Sequence, residues 1–143
     1  MAGKSDTFEN DWLKLIFNAV AIANIADNAA ASPLTDLYVA LHTADPTDAG
    51  VQNASEATYT GYARVAVARS AGGWTVTGSS VSPAAAISFG ACTAGSNTAT
   101  HWSVGVASSG ATKILYAGAI SPTISISAGV TPQLTTASTV TED

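Results

Sequence analysis

The chain has 143 residues, enough for one domain with a single buried core, and it carries few charges. Charged residues make up 10 % of the chain, against about 25 % in typical soluble domains. Ten of them are acidic and five are basic, so the chain is acidic overall. The basic residues are scattered, which excludes the continuous basic surface that nucleic-acid binding needs. Because Cys92 is the single cysteine, packing or assembly rather than internal disulfides must stabilise the fold.

Neutral residues dominate the polar composition. Serine and threonine together supply about a quarter of the chain and alanine about a fifth, both above the usual share. Neutral groups cost less to desolvate than charges, so a surface built from them suits permanent contact with other proteins. The alternative, that this composition is only a habit of the source organism, stays open.

The N-terminal segment carries acidic side chains at Asp6, Glu9 and Asp11, where a secretory signal would be basic and then apolar. No run of about 18 apolar residues is present that would span a membrane. We therefore expect the chain to be made and kept in the cytoplasm until it meets its partners.

An amphipathic helix is predicted over residues 5–30, with Trp12 and Ile16 in its main apolar stripe. Further apolar residues widen this stripe toward half of the helix circumference. Either the helix lies in the core of its own domain, or the wider arc contacts a neighbouring subunit. In the second case the candidate partner-interface residues are Leu13, Phe17 and Val20.

The segment 37–46 is predicted to be a half-buried strand that ends in a turn. Its residues alternate with the period of two that strands show, and Asp45-Pro46 ends it because proline has no N–H for a sheet. One face is predicted to be buried, through Leu37, Val39 and Leu41. A long polar loop over residues 43–60 follows, and loops of this length are usually functional or mobile.

Short alternating segments separated by turns fill the rest of the chain. A strand is expected over 62–70, with a hairpin turn at Gly72-Gly73, and Pro122 should separate strands over 113–120 and 123–126. In the strand that begins at residue 101, the inward set is predicted to be Trp102, Val104 and Val106. This spacing predicts a mainly β fold with one N-terminal α-helix, an antiparallel, jelly-roll-like β-sandwich over 35–143 within a single domain 1–143.

No arrangement of residues predicts catalysis or a cofactor. His42 and Asp45 have the spacing of two metal ligands, but a site needs three or four, so we expect His42 to be a strand residue with one hydrogen bond. Cys92 has no basic neighbour in sequence and is expected to be a small buried hydrophobe. We predict no catalytic, cofactor-binding or metal-binding residues.

Arg64 is unusual because it places a charge between apolar neighbours in a predicted strand. Either it faces solvent, or it pairs with a carboxylate of the long loop such as Asp45 or Asp48. A separate small cluster, Tyr59 and Tyr62 near Glu56, is the only candidate for binding a glycan.

Four landmarks in fixed order together resemble a family of small virion structural proteins of tailed bacteriophages, commonly named tail fibre proteins. Some members look like capsid decoration (cement) proteins. The landmarks are Trp12 to Phe17, the run from Leu37 to Pro46, Gly61 to Val67, and a C-terminal set formed by His101-Trp102, Ile114 to Gly118 and Ala128 to Leu134.

The resemblance implies a structural role in the virion without catalysis, and it transfers no active-site residues. Because the chain has no repetitive shaft, it is predicted to be a capsid decoration protein that clamps neighbouring capsid subunits. The alternative is a tail fibre or tail-associated protein with a structural or receptor-binding role. In either case the expected partners are other virion proteins and further copies of the chain, with a trimer as the candidate assembly, and neither nucleic acid nor membrane.

Overall fold

The computed structural model describes residues 6–22, 33–47 and 50–142. Across these ranges one helix precedes nine strands, and paired strands run antiparallel, which confirms the predicted mainly β chain with one N-terminal helix. None of the described helical residues forms a helix long and apolar enough to cross a membrane. The bounds are α1 Asp6–Asn18, β1 Asp36–His42, β2 Val65–Ala68, β3 Trp74–Thr77, β4 Ser80–Pro83, β5 Ile87–Ser88, β6 Asn97–Gly105, β7 Ile114–Ile126, β8 Gln133–Leu134 and β9 Val140–Thr141.

The chain divides into two compact units, each assembled from separate segments. The first comprises Met1–Asp36, Val67–Ala86 and Thr135–Asp143, and the second comprises Leu37–Ala66 and Ile87–Leu134. A single domain and a jelly-roll-like sandwich remain predictions.

The first unit packs helix α1 against an antiparallel sheet with strand order β3-β4-β9. The buried side of the helix is a line of residues four apart, Glu9, Leu13 and Phe17. The ring of Phe17 meets the ring of Trp74 on β3 edge to face, with centroids 4.8 Å apart and planes at 65°. This aromatic pair fixes how the helix lies on its sheet.

Helix α1 is shorter than the predicted 5–30, because the chain turns at its C-terminus. Ala19 adopts a left-handed conformation with φ of 56°, and the Val20 N–H donates to the carbonyl of Lys14 at 3.1 Å. A left-handed residue after the last helical residue is the usual way to end a helix. The predicted helical residues 23–30 lie outside the described part of the chain.

Arg69 supplies the C-terminal end of α1 with the positive charge that its own last turn lacks. Its Nε donates to the Ile16 carbonyl at 2.5 Å, and its Nη2 donates to the Leu15 carbonyl. These carbonyls belong to the last turn, whose acceptors have no partner within the helix, and they carry the negative end of the helix dipole. One arginine from the end of β2 therefore caps the helix.

The second unit is built on a four-stranded sheet of order β2-β1-β6-β7, accompanied by the antiparallel pair β5-β8. Leu37, Val39 and Leu41 are buried as predicted, but Ala40 and His42 on the other face of β1 are buried too. Strand β1 is therefore covered on both faces at its C-terminal half, where the period of two predicted only one buried face.

Strand β6 pairs with the outer strand β7, and in this pair Trp102 lies directly opposite Gly118. A side chain at Gly118 would meet the indole of Trp102, whose Nε1 is 3.3 Å from the position of an added Cβ. Trp102 and Val104 are buried as predicted, whereas Val106 lies beyond the end of the strand and is partly exposed. Glycine opposite the tryptophan lets the large ring cover the neighbouring strand.

Two strand boundaries differ from those that the turn residues predicted. Pro122 does not end a strand: β7 runs from Ile114 to Ile126, and a register shift against β6 accommodates the residues around the proline. Gly72-Gly73 lies in a turn but forms no hairpin, because β2 and β3 belong to different sheets. The strand expected over 62–70 is limited to Val65–Ala68.

Helix α1 buries a different face from the one predicted. Leu13 and Phe17 are fully buried, whereas Trp12 keeps 38 % of its surface exposed. Packing against Trp74 selects the line through residues 9, 13 and 17, and periodicity within the helix cannot reveal that partner.

We expect Phe17→Ala to lower the free energy of unfolding by about 3–5 kcal/mol, since it empties a fully buried aromatic site. Trp12→Ala should cost less than half as much. Denaturant titrations followed by circular dichroism measure both losses. A loss for Trp12→Ala that equals or exceeds that for Phe17→Ala would contradict this packing.

Candidate functional site

A buried ion pair between Arg64 and Glu56 lies in the second unit. Nε of Arg64 donates to Oε1 of Glu56 at 2.7 Å and Nη2 donates to Oε2 at 2.9 Å. The Arg64 side chain is 1 % exposed and that of Glu56 is 16 % exposed. The solvent-facing interpretation of Arg64 is therefore wrong. The pairing interpretation is right in kind, but its partner is Glu56 rather than Asp45, and Asp48 lies outside the described residues.

The remaining donors of the guanidinium bind groups from two chain segments. Nη1 donates to the Ala107 carbonyl at 3.0 Å and to Oε1 of Gln52 and Oγ1 of Thr112, both at 3.1 Å. Nη2 also donates to the Gly110 carbonyl at 2.8 Å. Every nitrogen of the fork thus has an acceptor, which is the condition under which a buried charge is tolerated. The contacts tie the loop around residues 52–56 to the turn over 107–112.

Gln52 extends this network into the sheet. Its side chain is fully buried, and its Nε2 donates to the carbonyl of Tyr38 on β1 at 2.7 Å. It packs against Gly105 so closely that a Cβ there would lie 2.1 Å from its Oε1. Its backbone N–H donates to the Thr112 carbonyl at 2.8 Å. Gly105 is therefore the residue that makes room for this buried amide.

Tyr62 holds the carboxylate of Glu56 from the other side. Its hydroxyl donates to Oε1 of Glu56 at 2.9 Å and accepts the N–H of Leu41 at 3.1 Å. Burial raises the pKa of Tyr62 well above its usual range, so the hydroxyl keeps its proton. Tyr59 is buried, and its ring meets that of Tyr62 at 5.5 Å. The cluster considered for glycan binding is therefore used inside the fold.

His42 anchors the same loop at the end of β1. Its ring is fully buried, with Nδ1 2.8 Å from the Ala54 carbonyl and Nε2 2.8 Å from Oγ of Ser103. A carbonyl can only accept, so Nδ1 carries the proton and Nε2 accepts from the serine hydroxyl. Burial lowers the pKa of His42 and keeps it neutral. His42 makes two hydrogen bonds, one more than predicted.

The polar side chains of the Arg64 network are hydrogen-bonded to one another and to backbone carbonyls, so the network holds the loop around residues 52–56 in place. Cys92 is buried, as predicted, with its sulfur 3.4 Å from the Ala94 carbonyl. In the ranges that the structure describes, no three His, Cys, Asp or Glu side chains gather in a way that could hold a metal ion.

The candidate partner-interface residues of α1 do not share one surface. Leu13 and Phe17 are fully buried within the first unit, so neither offers its side chain to a partner without unfolding. Val20 is 50 % exposed, and a contact with another subunit there remains a prediction. The Arg64 network was missed because its members are far apart in sequence. A lone arginine among apolar strand residues was the one signal, and it left both a solvent-facing and a paired side chain open.

We expect Glu56→Gln to lower the free energy of unfolding by about 3 kcal/mol, because it leaves the Arg64 charge buried without its counter-charge. This is the lower end of the range for a buried pair, since Glu56 keeps 16 % exposure. Asp45→Asn, at an exposed carboxylate of the same loop, is the matched control and should cost less than about 1 kcal/mol. Equal losses in the two variants would show that the ion pair stabilises nothing.

Stability should fall as pH drops below about 6.5, the ordinary pKa of histidine, because the unfolded chain then binds a proton that folded His42 resists. One such proton contributes a slope of up to about 1.4 kcal/mol per pH unit. Denaturant titrations between pH 5.5 and 7.5 measure this slope. His42→Gln should reduce this slope. An unchanged slope in His42→Gln would contradict the assignment.

Comparison with known protein families identifies the family to which the chain belongs. One family model, described as podophage GP4 fiber I protein gp80, matches residues 3–141. A search of curated proteins found no match. The match covers nearly the whole chain and both of its units. The chain belongs to this podophage fibre protein family and is a structural component of the virion.

Proposed function

We propose that the chain is a subunit of a tail fibre, or of a structure that attaches one to the phage tail, and that its role is structural rather than catalytic. The observation that carries this proposal is the family match, which names a fibre protein and spans residues 3–141. It supports the tail interpretation, which the sequence analysis held as the alternative, more than it supports a capsid decoration protein.

The buried Arg64 network supports a structural role. A fibre subunit has to keep its shape while it transmits force between the virion and the host surface. The five N–H groups of one guanidinium make six hydrogen-bond contacts, which tie the loop around residues 52–56 to the turn over 107–112. Because a bidentate pair fixes both distance and angle, these segments are held in one arrangement.

The occupied aromatic cluster favours a structural subunit over a glycan-binding tip. A glycan binder presents aromatic rings and carboxylates to solvent, but Tyr59 is buried and Glu56 is bound by both Arg64 and Tyr62. The three side chains that suggested glycan binding thus have partners inside the unit. Receptor binding by another surface of the chain would need different residues.

The capsid decoration hypothesis makes a different prediction about abundance. A decoration protein repeats over the whole shell, whereas tail fibres surround a single portal axis. Clamping of capsid subunits by three copies around a threefold axis therefore stays an unsupported prediction beside the fibre proposal.

We expect purified virions to contain far fewer copies of the chain than of the major capsid protein, in a whole-number ratio to the tail proteins. Quantitative mass spectrometry against the major capsid protein gives the copy number, and antibody labelling in electron micrographs gives the location. A count on the order of hundreds, with label over the whole head, would contradict the fibre proposal and support decoration.

A further inference from the structure

A side-chain hydroxyl and a side-chain amide meet beside the buried guanidinium of Arg64. Oγ1 of Thr112 donates to Oε1 of Gln52 at 3.3 Å, although the two residues are 60 positions apart in the sequence. Nη1 of Arg64 donates to both of these oxygens, in each case at 3.1 Å. A nucleophilic oxygen, a carbonyl group and a cation thus lie together, and these are the groups that an acyl transfer requires.

The backbone holds the two side chains in this position. The N–H of Gln52 donates to the carbonyl of Thr112 at 2.8 Å, and the neighbouring residues Val51 and Lys113 form an antiparallel bridge. The Gln52 side chain is fully buried, and its Cδ atom lies 2.4 Å from the position that a Cβ at Gly105 would occupy. The amide is therefore confined beside Thr112, and fixed proximity of this kind lowers the barrier to a reaction between two groups.

We propose that Thr112 and Gln52 join spontaneously after folding through an intramolecular ester bond. Oγ1 of Thr112 attacks Cδ of Gln52, the bond between Cδ and Nε2 breaks, and ammonia leaves. The hydroxyl proton of Thr112 ends on the departing Nε2, so a hydroxyl and an amide become an ester and ammonia without any oxidant, reductant or cofactor. The reaction occurs once in each copy of the chain and leaves a covalent link between the loop around residues 52–56 and the turn over 107–112.

Arg64 stabilises the charge that this attack creates. As Oγ1 adds to Cδ, negative charge develops on Oε1 of Gln52, which already accepts a hydrogen bond from Nη1 of Arg64. Glu56 and two backbone carbonyls hold the guanidinium, so it does not have to rearrange when the charge appears. Nη1 also donates to Oγ1 of Thr112, which stabilises that oxygen as its proton leaves. Arg64 is therefore the catalytic residue of this step.

The surroundings of the amide favour attack by Thr112 over attack by water. Nε2 of Gln52 donates to the Tyr38 carbonyl at 2.7 Å, which fixes the orientation of the amide. The Gln52 side chain is fully buried and that of Arg64 is 1 % exposed, so bulk water has little access to Cδ before or after the ester forms. Because Cys92 is the single cysteine, the ester provides a covalent link that a disulfide cannot provide within this chain.

Intact-mass spectrometry of the purified full chain tests the proposal. The wild-type chain should be lighter than its 14.2 kDa sequence mass by one ammonia molecule. Thr112→Val keeps the size of the side chain but removes the hydroxyl, so this variant should retain its full sequence mass. Thr93→Val is the matched control, because the Thr93 hydroxyl donates to a backbone carbonyl rather than to a side-chain amide. It should lose ammonia as the wild type does.

A tryptic digest of the wild-type chain locates the link without depending on any variant. Trypsin cleaves after lysine and arginine, which places Gln52 in the peptide 15–64 and Thr112 in the peptide 70–113. The ester should join these two peptides into one species. Hydroxylamine cleaves esters but not ordinary amides, so it should separate the two peptides and leave a hydroxamate on the side chain of residue 52.

A wild-type chain at its full sequence mass, a loss of ammonia that persists in Thr112→Val, or a cross-link between other peptides would each overturn the proposal. A small gain in mass from hydrolysis of the Gln52 amide would overturn it too, because water would then be the nucleophile. If Thr112→Val fails to fold, the wild-type mass and the joined peptides still decide. The proposal goes beyond the function proposed above, because the reaction occurs within one copy of the chain, and the copy number in virions tests the fibre proposal separately.

Discussion

The second unit depends on the buried pair between Arg64 and Glu56. Removing a guanidinium from water is costly, and the cost is offset only when the carboxylate, Gln52, Thr112 and the surrounding carbonyls are all in place. The interaction is therefore cooperative, because losing one acceptor leaves the charge less well satisfied and weakens the hold on the rest. A long polar segment that would otherwise be a loose loop becomes a fixed part of the fold.

Local sequence patterns predicted those features of the fold that depend only on residues close together in the sequence. Alternation identified β1 and the buried Trp102 and Val104, and the landmarks from Trp12 to Leu134 identified the phage family before any fold was known. The same patterns failed where a residue far away in the sequence determines which side chain is buried or where an element ends. The buried face of α1 is selected by Trp74, and its end is capped by Arg69. Arg64 was noticed as a misplaced charge, but the identity of Glu56 as its partner requires the folded arrangement of the loop.

The composition of the chain and the Arg64 network both suit a structural component of the virion. A charge-poor, hydroxyl-rich composition lowers the desolvation cost of contact with other proteins. The network around Arg64 ties the loop around residues 52–56 to the turn over 107–112, so this part of the second unit is held in one arrangement.

Hydrogen exchange tests most directly whether the ion pair holds the loop. The N–H groups of Thr43, Gln52 and Ala57 donate to Ser55, Thr112 and Leu41, so in the native protein their exchange should be slow. In an Arg64→Met variant the account predicts that these three amides lose protection together, while amides in the centre of β6 stay protected. Unchanged protection of the loop amides in that variant would show that the loop is held by other contacts, and would contradict the central role of Arg64.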